Sequence, residues 1–120
     1  MNKFLAGRRA EQSAVRFLQS QGYRVLDRNV RARFGEIDVV ARDGATLCFV
    51  EVKARSSLRF GWPEESVNFS KRQKLLKLAA WYLKSRRPTG HSSVRFDVLS
   101  LLNGHDGPAR IRLIKGAFEA

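Results

Sequence analysis

Acidic side chains and a lysine lie close together in two consecutive strand-like segments in the middle of the chain. Glu36 and Asp38 lie in the first segment, and Glu51 and Lys53 lie in the second. One lysine cannot neutralise three carboxylates, and carboxylates held close together repel one another. A divalent cation relieves that repulsion, and oxygen ligands suit Mg²⁺ or Mn²⁺ better than zinc. The residue types therefore predict a Mg²⁺ or Mn²⁺ site.

A β-hairpin would bring these four residues to one place. Asp43-Gly44 lies between two apolar-rich runs, which is the strongest short-range hairpin signal. If these two residues form the turn, Glu36 faces Glu51 across the strand pair. Side chains alternate along a strand, and opposed residues share a face. The pattern predicts one shared face for Glu36, Asp38, Glu51 and Lys53, with Asp38 and Glu51 as diagonal neighbours roughly 7–8 Å apart at the backbone.

The simplest alternative is an exposed hairpin face whose charges are solvated. Val40, Leu47 and Phe49 belong to the same predicted face, so that face is not wholly polar. A poorly solvated face raises the cost of leaving charges without partners. The sequence therefore favours a binding site over a solvated surface.

The overall charge indicates what such a site would act on. The 120-residue chain has 23 Lys and Arg against 11 Asp and Glu, which gives a formal net charge of +12. This excess predicts a surface that binds polyanions, above all nucleic acid. The alternative is a basic structural protein that sits on ribosomes, RNA or anionic membrane. An acidic cluster within a basic field favours a metal-dependent phosphodiesterase instead, because the field attracts the phosphate backbone and the acids hold the ion.

Length and cysteine content narrow the class of protein. A chain of this length predicts one domain, residues 1–120. Its single cysteine, Cys48, excludes an internal disulfide framework and a zinc site built from cysteines. Strand parity turns Cys48 away from the acids, as expected for a buried structural thiol. No apolar run approaches the roughly 18 residues of a membrane span, so we expect a cytoplasmic protein that has no membrane partner.

A helix predicted over residues 8–21 precedes the hairpin and carries another acid. Ala14, Val15 and Leu18 form its apolar stripe, and Glu11 lies on the same stripe. A carboxylate on the core-facing side of a helix needs a partner, either a cation or a metal. An ordinary first-turn acid favoured by the helix dipole is the alternative. The sequence leaves both interpretations open.

Basic residues that could guide a DNA backbone occur in a loop and on a second helix. Ser70 and Gln73 form a capping box, which predicts a helix over residues 71–85. Solvated lysines are the default interpretation of any helix face. The candidate nucleic-acid-binding residues are Arg55 and Arg59 in the loop, where aromatic residues accompany them, and Lys71, Lys74 and Lys77 on the helix.

Further strands are predicted over residues 23–30, 94–101 and 110–114, the last at a sheet edge. Asp97 lies in the second of these strands, where an ion pair explains it better than a metal does. The predicted order of elements is thus helix, three strands, helix and strand, with one more strand to follow.

This order, with Asp38 and a Glu51-x-Lys53 motif on the second and third strands, resembles the restriction-endonuclease-like nucleases of the PD-(D/E)xK type. More closely, the chain resembles the YraN-type family of small bacterial proteins, predicted nucleases that are similar to archaeal Holliday-junction resolvases. One departure is that Glu36-Ile37-Asp38 stands where the motif would have Pro-Asp. The matching stretches are residues 22–24, 35–38, 49–53, 71 and 95–98.

The resemblance implies an α/β, restriction-endonuclease-like fold in three layers, with a mixed sheet of four or five strands flanked by helices. It implies that Asp38 and Glu51 bind Mg²⁺ or Mn²⁺, that Glu11 completes the metal shell, and that Glu36 could support a second ion or serve only to shape the strand. Lys53 would act on the attacking water or stabilise charge on the phosphorane. The reaction would be metal-assisted hydrolysis of a phosphodiester by an endonuclease.

The expected substrate follows from size and resemblance. A chain this short has no room for a base-reading module, so recognition should rest on backbone shape and charge, without base-sequence specificity. Similarity to junction resolvases favours branched or otherwise structured DNA. It also implies a homodimer, because such enzymes need two opposed sites, although no stretch of sequence marks an interface. A catalytically silent nucleic-acid-binding module of the same fold is the alternative.

Overall fold

The structure, a computed structural model, describes residues 3–55, 68–102 and 110–118, with side chains described from Arg9 onward and without that of Arg55. The predicted α/β order of helix, three strands, helix and strand is confirmed, and a fifth strand follows. The elements are α1 (Lys3–Ser20), β1 (Arg24–Ala32), β2 (Gly35–Asp43), β3 (Thr46–Arg55), α2 (Phe69–Arg86), β4 (Ser93–Leu102) and β5 (Arg110–Phe118).

The strands form one mixed sheet in the order β1-β2-β3-β4-β5. Neighbouring strands are antiparallel except β3 and β4, which run parallel and are connected through α2. A parallel pair needs such a crossover, because its second strand must start from the same end of the sheet as the first. The crossover places α2 over one face of the central strands that carry the predicted site.

The two helices cover opposite faces of the sheet, which gives the three-layer arrangement implied by the resemblance. The α1 cluster, on one face, includes Ala14, Val15, Leu18, Val39, Ala41, Cys48 and Val50. The α2 cluster, on the other face, includes Val40, Leu47, Phe49, Leu75, Leu78, Tyr82 and Val98. Neither helix, over the residues described, is long and apolar enough to cross a membrane.

The turn between β2 and β3 lies one residue later than predicted. Asp43 pairs with Thr46, so Gly44 and Ala45 form the turn. Gly44 has φ +62°, a conformation that glycine adopts without the steric cost of a side chain. The change shifts the strand register by two residues, and a shift of two keeps the paired residues, from Val39 to Asp43 and from Thr46 to Val50, on their predicted faces.

Helix α2 begins earlier than predicted, because its cap is not Ser70. The Asn68 side chain accepts a hydrogen bond from the backbone N–H of Lys71 at 3.0 Å. Asparagine is among the strongest N-cap residues, since its short side chain reaches a backbone donor of the first turn. At the other end, Arg87 adopts the left-handed conformation (φ +47°) immediately before Pro88. Lys71 thereby belongs to the first turn of α2.

Candidate active site

A pocket of about 320 Å³ opens between the sheet and α2. It contains the three carboxylates that the predicted hairpin brings together, and helix α2 adds two lysines. Leucines of the same helix form the apolar part of the wall. The lining residues are Glu36, Asp38, Glu51, Lys71, Lys74, Leu75 and Leu78.

Asp38 lies where β2 and β3 separate. The paired register runs from Asp43 and Thr46 to Val39 and Val50 and ends there, although both strands continue. Beyond that point, the Asp38 carboxylate accepts a hydrogen bond from the backbone N–H of Val52 at 2.9 Å. A side-chain oxygen therefore satisfies a strand donor where no carbonyl of β2 pairs with it. This bond holds the carboxylate in the gap between the strands.

The alternation of side chains along β2 is broken around Asp38. Ile37 and Val40 both belong to the α2 cluster, although a regular strand would send residues three apart to opposite faces. Gly35 also faces α2, because a Cβ there would lie 2.9 Å from Lys74 Cε. The assumption of a regular strand through Asp38 was therefore wrong, and the irregularity turns Asp38 toward the gap.

Strand β1 departs from regular geometry at the same level. Asn29, which lies between the partners of Val39 and Ile37, has φ +50°. A non-glycine residue with positive φ is uncommon, and asparagine tolerates it better than most. Such conformations persist where the surrounding structure enforces them, and they concentrate at functional sites.

Glu51 is 5% exposed in its side chain and interacts with two lysines. Its Oε1 lies 3.3 Å from Lys53 Nζ and 3.1 Å from Lys71 Nζ. A buried carboxylate requires such partners, because an isolated charge in a poorly solvated site is costly. Lys53 reaches Glu51 from the same strand, as the alternation predicted. Lys71 reaches it from α2, a contact that the sequence did not reveal.

Burial and the neighbouring Glu51 charge raise the pKa of Asp38 from its usual value of 3.8 to about 7. The Val52 N–H opposes this rise in the pKa, whereas a hydrogen bond with Glu51 and the charge of Glu36 add to it. Two carboxylates this close cannot both ionise without cost unless a proton or a cation lies with them. The pair is thus suited to holding a positive charge.

The donor set fits a magnesium-type cation in an open site. Asp38 and Glu51 offer only oxygen donors, and Mg²⁺ is commonly bound through one or two carboxylates, with water and substrate phosphate as its other ligands. Within residues 3–55, 68–102 and 110–118, no three His, Cys, Asp or Glu side chains form a ready metal cluster. The residues therefore suit a site completed by water and phosphate rather than a closed protein cage.

Glu11 is not among the residues that line this pocket, so its place in the metal shell, which the resemblance implies, stays a prediction. It lies next to Ala10 on the stripe of α1 that packs on the opposite face of the sheet. Its Oε1 lies 3.6 Å from Arg28 Nε, within a separate pocket of about 290 Å³ that Gln12 and Asn29 also line. The core-facing acid thus has a cation as its partner.

The candidate nucleic-acid-binding residues occupy different positions. Lys71 and Lys74 line the pocket, and Lys77 is exposed on α2. Lys71 was interpreted as part of the exposed, positively charged side of α2, but it lies four residues before Leu75 on the buried stripe of the helix, so its ammonium reaches Glu51. Arg59 and the side chain of Arg55 lie outside the described part of the structure.

The residues of the pocket fall within a region shared with known proteins. Residues 10–101 match the family model described as Uncharacterised protein family UPF0102. The chain belongs to the UPF0102 family. A UPF0102 protein from Persephonella marina is 42% identical over 119 residues, which cover 99% of this chain and 97% of that protein. One from Symbiobacterium thermophilum is 47% identical over 114 residues, with 95% and 96% covered.

A third UPF0102 protein, from Moorella thermoacetica, is 45% identical over 119 residues, covering 98% of each chain. These matches confirm the YraN-type resemblance along nearly the whole chain. Because the UPF0102 description assigns no activity, the chemistry has to be argued from the pocket.

On the opposite face of this UPF0102 sheet, Asp97 is the centre of a buried network. It accepts hydrogen bonds from the Tyr23 hydroxyl at 2.9 Å, from Arg95 Nε at 2.8 Å and from the Gly116 N–H at 2.9 Å. The predicted ion pair of Asp97 is confirmed. Cys48 is buried as predicted, and burial raises the pKa of its thiol to about 12, so it is not a nucleophile.

Proposed function

We propose that this UPF0102 protein is a metal-dependent phosphodiesterase, an endonuclease that cuts branched or otherwise structured DNA without base-sequence specificity. The observation that carries the proposal is the pair formed by half-buried Asp38 and buried Glu51, with Lys53 in contact with Glu51. The lysines of α2 form the basic wall of the same pocket. Two adjacent acids, a neighbouring cationic side chain and a basic surround suit hydrolysis of a phosphodiester.

Asp38 and Glu51 would hold Mg²⁺ or Mn²⁺. When bound, the cation supplies charge neutralisation at the phosphate and lowers the pKa of water. Asp38 is held by the Val52 N–H, so its carboxylate is positioned before any ligand arrives. Preorganisation of this kind matters because little reorganisation is then left for the reaction itself.

Lys53 acts on the reacting group. Its ammonium has three donors, and the contact with Glu51 uses only part of them. The remaining donors can reach a phosphate oxygen or the attacking water, and they stabilise the negative charge that grows in the transition state. Glu51 therefore orients Lys53 as well as contributing to the acidic pair.

Lys71 and Lys74 bind the phosphate backbone. Both line the pocket from α2, so a backbone that enters between the helix and the sheet meets their charges before it reaches the acids. Contacts with phosphate position a duplex without reading its sequence. This agrees with the absence of base-sequence specificity in the proposal. The homodimer that opposed cuts would require is part of the same proposal.

The test is cleavage of labelled four-way, flapped and linear DNA in Mg²⁺ or Mn²⁺. Asp38→Asn, Glu51→Gln and Lys53→Ala should each lose cleavage by about 10²-fold or more, because each removes a preorganised charge at the reacting centre. DNA binding should persist in all three variants. Asp27→Asn changes a carboxylate outside the pocket and serves as the matched control. Undiminished cleavage by Lys53→Ala would contradict the proposed chemistry.

One observation favours the silent nucleic-acid-binding module as a second candidate. Lys71 already neutralises Glu51 at 3.1 Å, as a structural ion pair would. The melting temperature measured with and without Mn²⁺ distinguishes the two functions, because a ligand that binds the folded state raises the melting temperature. A phosphodiesterase predicts stabilisation of wild type but not of Asp38→Ala. A silent module predicts DNA binding with neither a Mn²⁺ effect nor cleavage.

A further inference from the structure

The turn between β1 and β2 carries an exposed aromatic ring among arginines. Ala32 pairs with Gly35, so Arg33 and Phe34 form a two-residue turn. Neither residue has a positive φ, so this turn does not require glycine or asparagine. A backbone of this kind accepts most residue types, so the turn geometry alone does not account for an arginine and an aromatic residue at these two positions.

The exposure of these side chains is high. Phe34 is 44% exposed, and the Arg31 side chain is 81% exposed. Arg33 is exposed as well. An isolated exposed apolar residue is ordinary, but here exposed arginines stand one and three residues before the ring in the sequence. Cations interleaved with aromatic rings are the combination that binds unpaired nucleic acid, with arginines on phosphates and rings on bases.

The turn lies at the rim of the candidate active site. Gly35, the next residue, approaches α2 so closely that a Cβ there would meet both Lys74 and Leu78, at 2.9 and 3.2 Å. Both of those residues line the pocket. Glu36 lines it too, and its Oε2 lies 3.6 Å from Arg31 Nε. A ligand in contact with the turn is therefore next to the acids.

We propose that the β1–β2 turn, defined by Arg31, Arg33 and Phe34, is a binding element for branched DNA, in which Phe34 stacks on an unpaired base. Bases inside a continuous duplex are already stacked on one another, so the ring finds a free partner only at a branch, flap or single-stranded end. This inference rests on the proposed function, because it assigns the stacked base to the strand whose phosphate the pocket would cut.

The test is binding in EDTA, where no cleavage occurs, to a flapped DNA with a fluorescent adenine analogue at the first unpaired position. Phe34→Leu keeps an apolar side chain and removes the ring, whereas Phe34→Trp keeps a ring. Phe34→Leu should bind the flap about tenfold more weakly and lose the change in fluorescence. Phe34→Trp should keep both. Leu26→Ala, at an exposed apolar position within β1 and away from the turn, should match wild type.

A fully paired duplex of equal length separates stacking from charge. Phe34→Leu should bind that duplex as wild type does. Arg31→Ala with Arg33→Ala should weaken binding to the flap and to the duplex alike, because phosphates occur in both. Equal flap affinity of Phe34→Leu and wild type would overturn the inference. Dissociation of a wild-type dimer by Phe34→Leu would overturn it too, since the ring would then be a contact between two copies.

The outcomes distinguish this inference from the proposed function. If the fluorescence of the flap depends on Phe34 but wild type cleaves no substrate, the role of the turn in DNA binding is supported and the proposed nuclease activity is rejected. If wild type cleaves DNA and Phe34→Leu gives the same fluorescence change as wild type, the role of the turn is rejected and the proposed nuclease activity stands.

Discussion

Asp38 owes its properties to an interruption in a strand. β2 separates from β3 at this residue, the Val52 N–H binds its carboxylate, and Glu51 lies beside it. Regular alternation was enough to predict that acids would meet here. It could not predict that Asp38 lies in the gap between the strands, because that depends on where pairing ends.

The raised pKa of Asp38 has a consequence for stability. The folded protein holds the proton up to about pH 7, whereas the unfolded chain releases it near the usual value of 3.8. A raised pKa contributes stability that is fully present below the unfolded pKa and is lost as the pH rises to the folded one. In EDTA, the unfolding free energy should therefore fall progressively between about pH 4 and pH 7, because the unfolded chain gains by releasing the Asp38 proton while the folded protein still holds it.

Asp38→Asn removes this effect while its amide still accepts from Val52 and donates to Glu51. The unfolding free energy of the variant, relative to wild type, should increase across this pH range and level off above about pH 7, reaching the order of a few kcal/mol. Urea unfolding from pH 4 to pH 8 measures the difference. A difference that does not vary with pH would mean that the Asp38 pKa is close to its usual value.

Removal of the Lys71 charge next to Glu51 should change the affinity of the pocket for a cation. Lys71→Met removes a positive charge that competes with a cation for Glu51 Oε1, so Mn²⁺ should bind several-fold more tightly, as expected when one nearby unit charge is removed. DNA binding should weaken at the same time. Calorimetric Mn²⁺ titration measures the first effect, and Lys77→Met, on the same helix but outside the pocket, is the control. Weaker Mn²⁺ binding by Lys71→Met would show that this lysine helps to build the site.

At the scale of elements, the sequence patterns predicted which segments form helices and strands, and in what order, better than they predicted where each element begins and ends. The β2–β3 turn was misplaced by one residue, yet the paired residues of the two strands kept their predicted faces because the resulting register shift was two. Glu11 shows the opposite case. Its place on the stripe of α1 was correct, but a helical pattern does not specify which face of a sheet the stripe covers, and α1 covers the face away from the acids.

The start of α2 gives a test at this scale. Asn68→Ala should destabilise the protein by about 1 kcal/mol, because the Lys71 N–H is then without its side-chain acceptor. Ser70→Ala, which removes the cap that the sequence suggested, should change the unfolding free energy by less than about 0.5 kcal/mol, as is usual for a surface substitution. Urea unfolding of both variants decides between the two caps. A larger destabilisation by Ser70→Ala would restore the predicted capping box.

At the scale of the molecule, the three layers separate two basic surfaces. Helix α2, with its lysines, covers the face that holds the pocket, and α1, with its exposed arginines, covers the other. The formal charge of +12 predicted nucleic-acid binding but could not locate it, because net charge carries no direction. Only the packing of the helices assigns one basic surface to the pocket.

Charge reversal on each helix in turn tests that assignment, because the two double variants change the net charge of the protein by the same amount. Lys74→Glu with Lys77→Glu should weaken DNA binding for all base sequences alike and lower the slope of log affinity against log salt by about one for each phosphate that is no longer neutralised. Lys71 is left intact because it is paired with Glu51.

Arg9→Glu with Arg16→Glu alters exposed residues of α1 and should cost much less affinity. DNA binding measured between 50 and 200 mM salt, a range of about fourfold over which such slopes are resolved, gives both quantities. Equal weakening by the two double variants would mean that DNA is held by the general field of the protein, and the pocket would then have no preferred approach through α2.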